Sequence, residues 1–179
     1  MKTMLLATIL VALALPSAAT AQQTKSTASA PTTSEFVKKA AMTNMFEVQA
    51  GQLAQQKSKV AQIHDYAKMI ETDHNKAQQE LKSKVQDIKG VELPSTLDEE
   101  HQKLINQLRS ASDGKFEQEF KTQQVKGHQE GVKLFQNYSE HGDNAELKQW
   151  AGATTPVLQK HLSAAERLPT TAGTVGSSK

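Results

Sequence analysis

Residues 58–90 read SKVAQIHDYAKMIETDHNKAQQELKSKVQDIKG. Val60, Ile63, Ala67, Ile70, Ala77, Leu81, Val85 and Ile88 recur every three or four positions. That spacing puts them on one stripe of a helix, with charged and amide side chains on the other faces. Gly90, free to take the left-handed conformation, stops it. A helix is therefore predicted over Ser58–Lys89.

The same reading extends in both directions. Upstream, Ser34 is a plausible N-cap with Glu35 in the first turn, and a small-residue face predicts a helix to about Lys57. Downstream, Thr96 and Glu99 form a capping box for a short helix carrying Leu97, Leu104, Ile105 and Leu108. A third long helix is predicted over Gly114–His141. A fourth, with Asp143 and Glu146 as its capping box, runs to about Leu168 and bends near Gly152, because Pro156 removes a donor and crowds the carbonyl four residues back. No useful stretch alternates with period two. The fold class is thus all-α: a four-helix bundle with a short extra helix in the connection between the second and third long helices. That connection is long enough for a ferritin-like crossover.

The ends read differently. Lys2, the apolar run Met4–Leu15, Pro16 and the small-x-small sequence Ala19-Thr20-Ala21 make residues 1–21 an export signal, with cleavage between Ala21 and Gln22. The run is too short for a membrane span, which needs ~20 apolar residues. Residues 22–33 are a polar lead-in, 34–168 one helical domain, and 169–179 a polar tail. Loss of Lys2 takes 21 Lys+Arg to 20 against 19 Asp+Glu, a net charge of +1. Such balance gives no nucleic acid or anionic membrane as partner. With no cysteine, disulfides, thiolate metal sites and thiol nucleophiles are excluded. The expected location is the periplasm, with an envelope protein or a second copy as the partner.

Polar residues on the apolar stripes carry the functional reading. His74 lies between Ile70 and Ala77, His128 between Val125 and Val132, and His161 between Leu158 and Ala165. Glu47 sits on the small-residue face of the first helix, and Glu71 flanks the second stripe one turn before His74. At ~1.5 Å per residue, His74 and His128 lie about 24 and 21 Å into their helices, and His161 and Glu47 fall within about 5 to 10 Å of that level. A lone histidine on an apolar face is usually a core residue satisfied by a hydrogen bond. Three on three helices, beside an inward glutamate, also form a candidate ligand set for a divalent transition metal: His74, His128 and His161, with Glu47 or Glu71 supplying oxygen. The alternative is an envelope interaction or maintenance protein without a ligand, whose buried neutral histidines make stability fall as pH drops below about 6.5.

Phe36-Val37, Ala40-Ala41, Asn44, Glu47-Val48 and Gly51-Gln52-Leu53-Ala54 follow one another along the first helix. Asp73-His74, Lys89-Gly90-Val91, Leu93-Pro94, His101-Gln102, Leu134-Phe135, Leu147-Lys148, Pro156, Leu158 and His161-Leu162 continue the order. With these motifs the chain resembles the bacterial family called domain of unknown function 4142, over nearly all of residues 34–168. The resemblance implies a ferritin-like helical fold and export; members are often described as outer-membrane proteins, although no barrel-like alternation occurs in this sequence. It also implies an Asp-His pair on the second and third long helices, where this chain has Asp73-His74 but Gly127-His128. A carboxylate that could orient or join a site is missing there. Ferritin-like di-iron enzymes need two glutamates and two Glu-x-x-His motifs. Glu47 and Glu71-Thr72-Asp73-His74 supply half of that set, and Leu158 precedes His161 where a glutamate would be needed. No phosphate loop or nucleophile elbow is present.

Overall fold

The computed structural model describes residues 31–170. The predicted export segment, with the predicted cleavage point between Ala21 and Gln22, lies outside them, as do most of the two polar ends. Five helices fold the described residues: α1 (Thr33–Lys57), α2 (Ala61–Val85), α3 (Glu99–Ser110), α4 (Phe116–His141) and α5 (Ala145–Glu166). Among the described residues no strand occurs, and none of the five helices is long and apolar enough to cross a membrane.

Local chemistry moves several predicted boundaries. The α1 cap is Thr32 rather than Ser34, in a full capping box with Glu35. Ser58–Val60 leaves the predicted second helix because the Ser58 hydroxyl, which accepts from the Val60 N–H, donates to Glu117 on α4 at 3.0 Å. That tertiary bond outweighs helix propensity. Asp98, not Thr96, caps α3, and Asn144, not Asp143, caps α5. Asp143 instead accepts from the hydroxyls of Thr33 and Tyr138. The last helix stays helical through Pro156.

Two apolar halves establish the topology. Ala50 and Ala54 from the end of α1 meet Ile63 and Ile70 from the start of α2, Phe116 and Phe120 from the start of α4, and Ala165 near the end of α5. In the other half, Phe36 and Val37 of α1 meet Leu81 and Val85 of α2, Phe135 and Tyr138 of α4, and Leu147 and Trp150 of α5. Hence α2 and α4 run parallel, opposite to α1 and α5. The 86–115 connection crosses the length of the bundle, and α3 packs Ile105 and Leu108 into the first half. This is the crossover of a ferritin-like bundle. Between the two halves lies a layer of buried polar side chains.

Candidate metal centre

Three helices place one histidine each in that layer. His74 (α2), His128 (α4) and His161 (α5) are 2%, 2% and 1% exposed, and their ring centroids lie 5.3–5.6 Å apart. One nitrogen from each ring lies within 4.8 Å of the others.

The partners of each ring fix its proton. His128 Nδ1 lies 2.9 Å from the Gln124 main-chain carbonyl, which can only accept; the proton is on Nδ1 and Nε2 is bare. His74 Nδ1 is 2.9 Å from Asn44 Oδ1, whose amide nitrogen donates to Gln78. His74 Nε2 is therefore also bare. These two Nε2 atoms face each other at 3.4 Å, with a lone pair on each side and no proton between. His161 donates from Nε2 to Asp73 Oδ2 at 2.9 Å, which leaves a lone pair on Nδ1, buried and without a hydrogen-bond partner. His74 Nε2, His128 Nε2 and His161 Nδ1 are thus three buried acceptors with no donor among the described residues to satisfy them.

Burial keeps these rings neutral. It is the main cause lowering the affinity of His74 for a proton, followed by the neighbouring His128 and His161. Burial and then His161 bring His128 down to about 4, against the pull of the Gln124 carbonyl. His161 is lowered by burial, opposed by Asp73. The same cause acts in reverse on Glu47, fully buried on α1: its carboxyl is pushed up to about 8, opposed by a hydrogen bond from Gln124 at 2.7 Å. Gln124 in turn accepts from the Tyr66 hydroxyl at 2.9 Å.

Of the residues predicted from sequence, the fold brings together the three histidines and sets Glu47 beside them. Glu47 Oε1 is 3.8 Å from His128 Nδ1, behind the ring rather than among the bare nitrogens. Because burial disfavours charge on both groups, this contact joins a neutral acid and a neutral imidazole. Glu71 is not brought into the cluster. Its carboxylate turns to α1 and accepts from Gln52 and Gln55 at 3.0 and 2.6 Å. The turn is possible because Gly51 lets α1 approach closely; a Cβ there would lie 2.9 Å from the Ala67 carbonyl and 3.3 Å from Glu71 Cβ. Gly127, where the family resemblance implies an aspartate, leaves the space beside Glu47: an added Cβ would meet Oε1 at 3.3 Å.

Asn44, Asp73 and the Gln124 carbonyl, the groups that fix the rings, were absent from the predicted ligand set. Asn44 lies three residues before Glu47, and Gln124 four before His128, so helical spacing carries a signal for both. Asp73 follows no such rule. As the neighbour of His74 it points about 100° away, and only the position of α5 brings it to His161.

A model of the family that the motifs resemble, described as a domain of unknown function (DUF4142), matches residues 17–168. The chain belongs to this family. No curated protein matches it. Among solved structures, "CopM in the Cu(II)-bound form" is similar with a TM-score of 0.66 and 17% identity, covering 77% of this chain and 95% of that one. At such identity the likeness is one of fold. For this DUF4142 chain it agrees with the all-α bundle read from the stripes.

Proposed function

We propose that this protein is an exported, non-enzymatic holder of a divalent transition metal, bound by His74 Nε2, His128 Nε2 and His161 Nδ1. The observation that carries the reading is the convergence of three buried nitrogens, each with its proton held on the far side of the ring. Metal-binding histidines are oriented in this way by carbonyls and carboxylates behind them. The spacing also suits an ion. Two nitrogens about 2.0–2.1 Å from one metal, at 109–120°, lie about 3.3–3.6 Å apart, and the two Nε2 atoms are 3.4 Å apart. The third histidine's nitrogen lies within 4.8 Å of the others, so a movement of at most about 1 Å brings it to that spacing. Imidazole suits copper, zinc, nickel and iron; the copper-bound neighbour puts copper first. Holding such an ion in the periplasm during envelope or metal stress is the role that fits an exported chain.

Calorimetric titration of metal-stripped protein with Cu(II), Zn(II), Ni(II) and Fe(II) tests this. One ion per chain with a Kd below about 10 μM, a binding energy of ~7 kcal/mol, is expected. No binding at that level removes the reading. A second reading rests on the lowered proton affinity of the same rings: an acid-responsive envelope protein without a ligand, in which one proton fills the His74–His128 gap. Replacing His74 and His161 by Gln separates the two. The first reading expects metal binding that the substitutions abolish; the second expects no metal binding by the unaltered protein and only a flatter loss of thermal stability between about pH 6.5 and 4.

A further inference from the structure

A buried ligand set needs a path for its ion. His74 and His161 border a cavity of about 250 Å³ between α2 and α5, lined also by Thr43 and Asn44 of α1, and His128 does not. On the α1 and α4 side the rings are backed by the Glu47–Gln124–Tyr66 chain of hydrogen bonds, and the two apolar halves close the layer along the bundle axis. The cavity lies where α2 and α5 face each other with small side chains, Ala77 opposite Ala153 and Thr154. Phe135 and Trp150 wall it on one side. Its rim reaches solvent at Lys76, Glu80 and Val157, the last 38% exposed. Asp73 joins inside to outside: its side chain is 37% exposed, and its Oδ2 accepts from His161, which is 1% exposed.

We propose that this cavity is the inlet for the metal ion, with Asp73 as a transit ligand that takes the cation from water and passes it between His74 and His161. A partly exposed carboxylate is a hard oxygen donor that meets a hydrated cation at little cost. The two imidazoles behind it hold the ion more firmly once its water is shed. The inference rests on the metal-binding reading above, and its test separates the two. Obstructing a passage slows arrival and departure by the same factor and leaves the equilibrium unchanged, whereas damage to the ligand set changes the equilibrium.

The experiment is stopped-flow mixing of Cu(II) with the metal-free protein, with release followed by transfer to excess chelator. Ala77→Leu fills the cavity from α2, and Val157→Trp covers its rim from an exposed position that folding tolerates. Both are expected to lower the association and dissociation rates together, by about tenfold or more, with Kd within about twofold of the unaltered protein. Asp73→Asn should slow association as well and, because it orients His161, also weaken Kd. Unchanged rates in Val157→Trp and in folded Ala77→Leu, with normal Cu(II) binding, overturn the inlet and leave the metal site standing. An unaltered protein that takes up no metal overturns both.

Discussion

The aromatic end of the bundle and its histidine layer are both buried, yet they treat burial in opposite ways. At the end, Phe36 stacks on Tyr138 with ring centroids 3.9 Å apart, and Phe135 meets it edge-on at 5.1 Å. Every atom removed from water there stabilises the fold, at about 25 cal/mol per Å² of apolar surface. The polar tips reach partners at the rim: the Tyr138 hydroxyl meets Thr33 and Asp143, and the Trp150 indole N–H donates to Glu80 at 2.9 Å. In the layer, one carboxyl oxygen, Glu47 Oε1, and one ring nitrogen, His161 Nδ1, have no hydrogen-bond partner, and the Nε2 atoms of His74 and His128 have only each other. Buried polar atoms left in that condition cost stability, on the order of 1–3 kcal/mol each. The comparison teaches that the aromatic and aliphatic halves hold the bundle together, while the layer lowers stability, as a site for the proposed metal ion would.

The largest test of that division is Phe36→Ala. Removing a buried ring should cost about 3–5 kcal/mol in urea unfolding. His161→Leu should behave in the opposite way. It removes an unpartnered nitrogen and leaves Asp73 partly exposed to water, so metal-free stability should stay within about 1 kcal/mol or rise. Metal affinity should fall about 100-fold or more, since a ligand is gone. If His161→Leu destabilised the metal-free protein as much as Phe36→Ala, the contrast between the regions would be lost.

A smaller effect sharpens the contrast through pH. For the metal-free protein between about pH 6.5 and 4.5, the unfolded chain binds protons on His74, His128 and His161 that the folded one refuses. The folded chain keeps one on Glu47 that the unfolded chain loses. The histidines outnumber the acid, so stability falls as pH drops through this window. Between about pH 6.5 and 8 only Glu47 differs: the folded state holds its proton and the unfolded state does not, so stability falls as pH rises. Thermal melts across pH should therefore peak near 6.5, with slopes on the order of 1.4 kcal/mol per pH unit for each net proton. Glu47→Gln should flatten the alkaline limb and steepen the acid one, because Glu47 no longer offsets one of the histidine protons there. The histidines taken alone predict stability that holds above pH 6.5; Glu47 changes that expectation.

The smallest effect is at Gly127. Alanine there gains about 1 kcal/mol of helix propensity but presses on Glu47 Oε1 at 3.3 Å. The far end of a side chain can yield, so Gly127→Ala should leave stability within about 1 kcal/mol of the unaltered protein in urea titration. A loss much larger than that would mean Glu47 is held rigidly.

What was legible in the sequence follows from the same contrast. The apolar stripes fix which faces turn inward, and His74, His128 and His161 stand on them, so helices, bundle and inward histidines could all be read from spacing. Glu71 could not. It flanks its stripe, and the close approach at Gly51 decides that it faces the α1 glutamines. The proton positions on the rings depend on Asn44 and Asp73, groups on other helices, and so belong to tertiary structure. The same holds for the break at Ser58–Val60, where Glu117 of α4 takes the serine hydroxyl, and for the parallel course of α2 and α4.

Residues 74, 128 and 161 meet only when three helices distant in sequence have closed on one another. An unfolded chain offers no such triad, so an ion bound there would act as a late fastener on the whole molecule. At 100 times its Kd it would add about 2.7 kcal/mol to the free energy of opening. Backbone amides in α2, α4 and α5 would then exchange with solvent more slowly in concert, and the loaded chain would resist proteases that wait for the bundle to open.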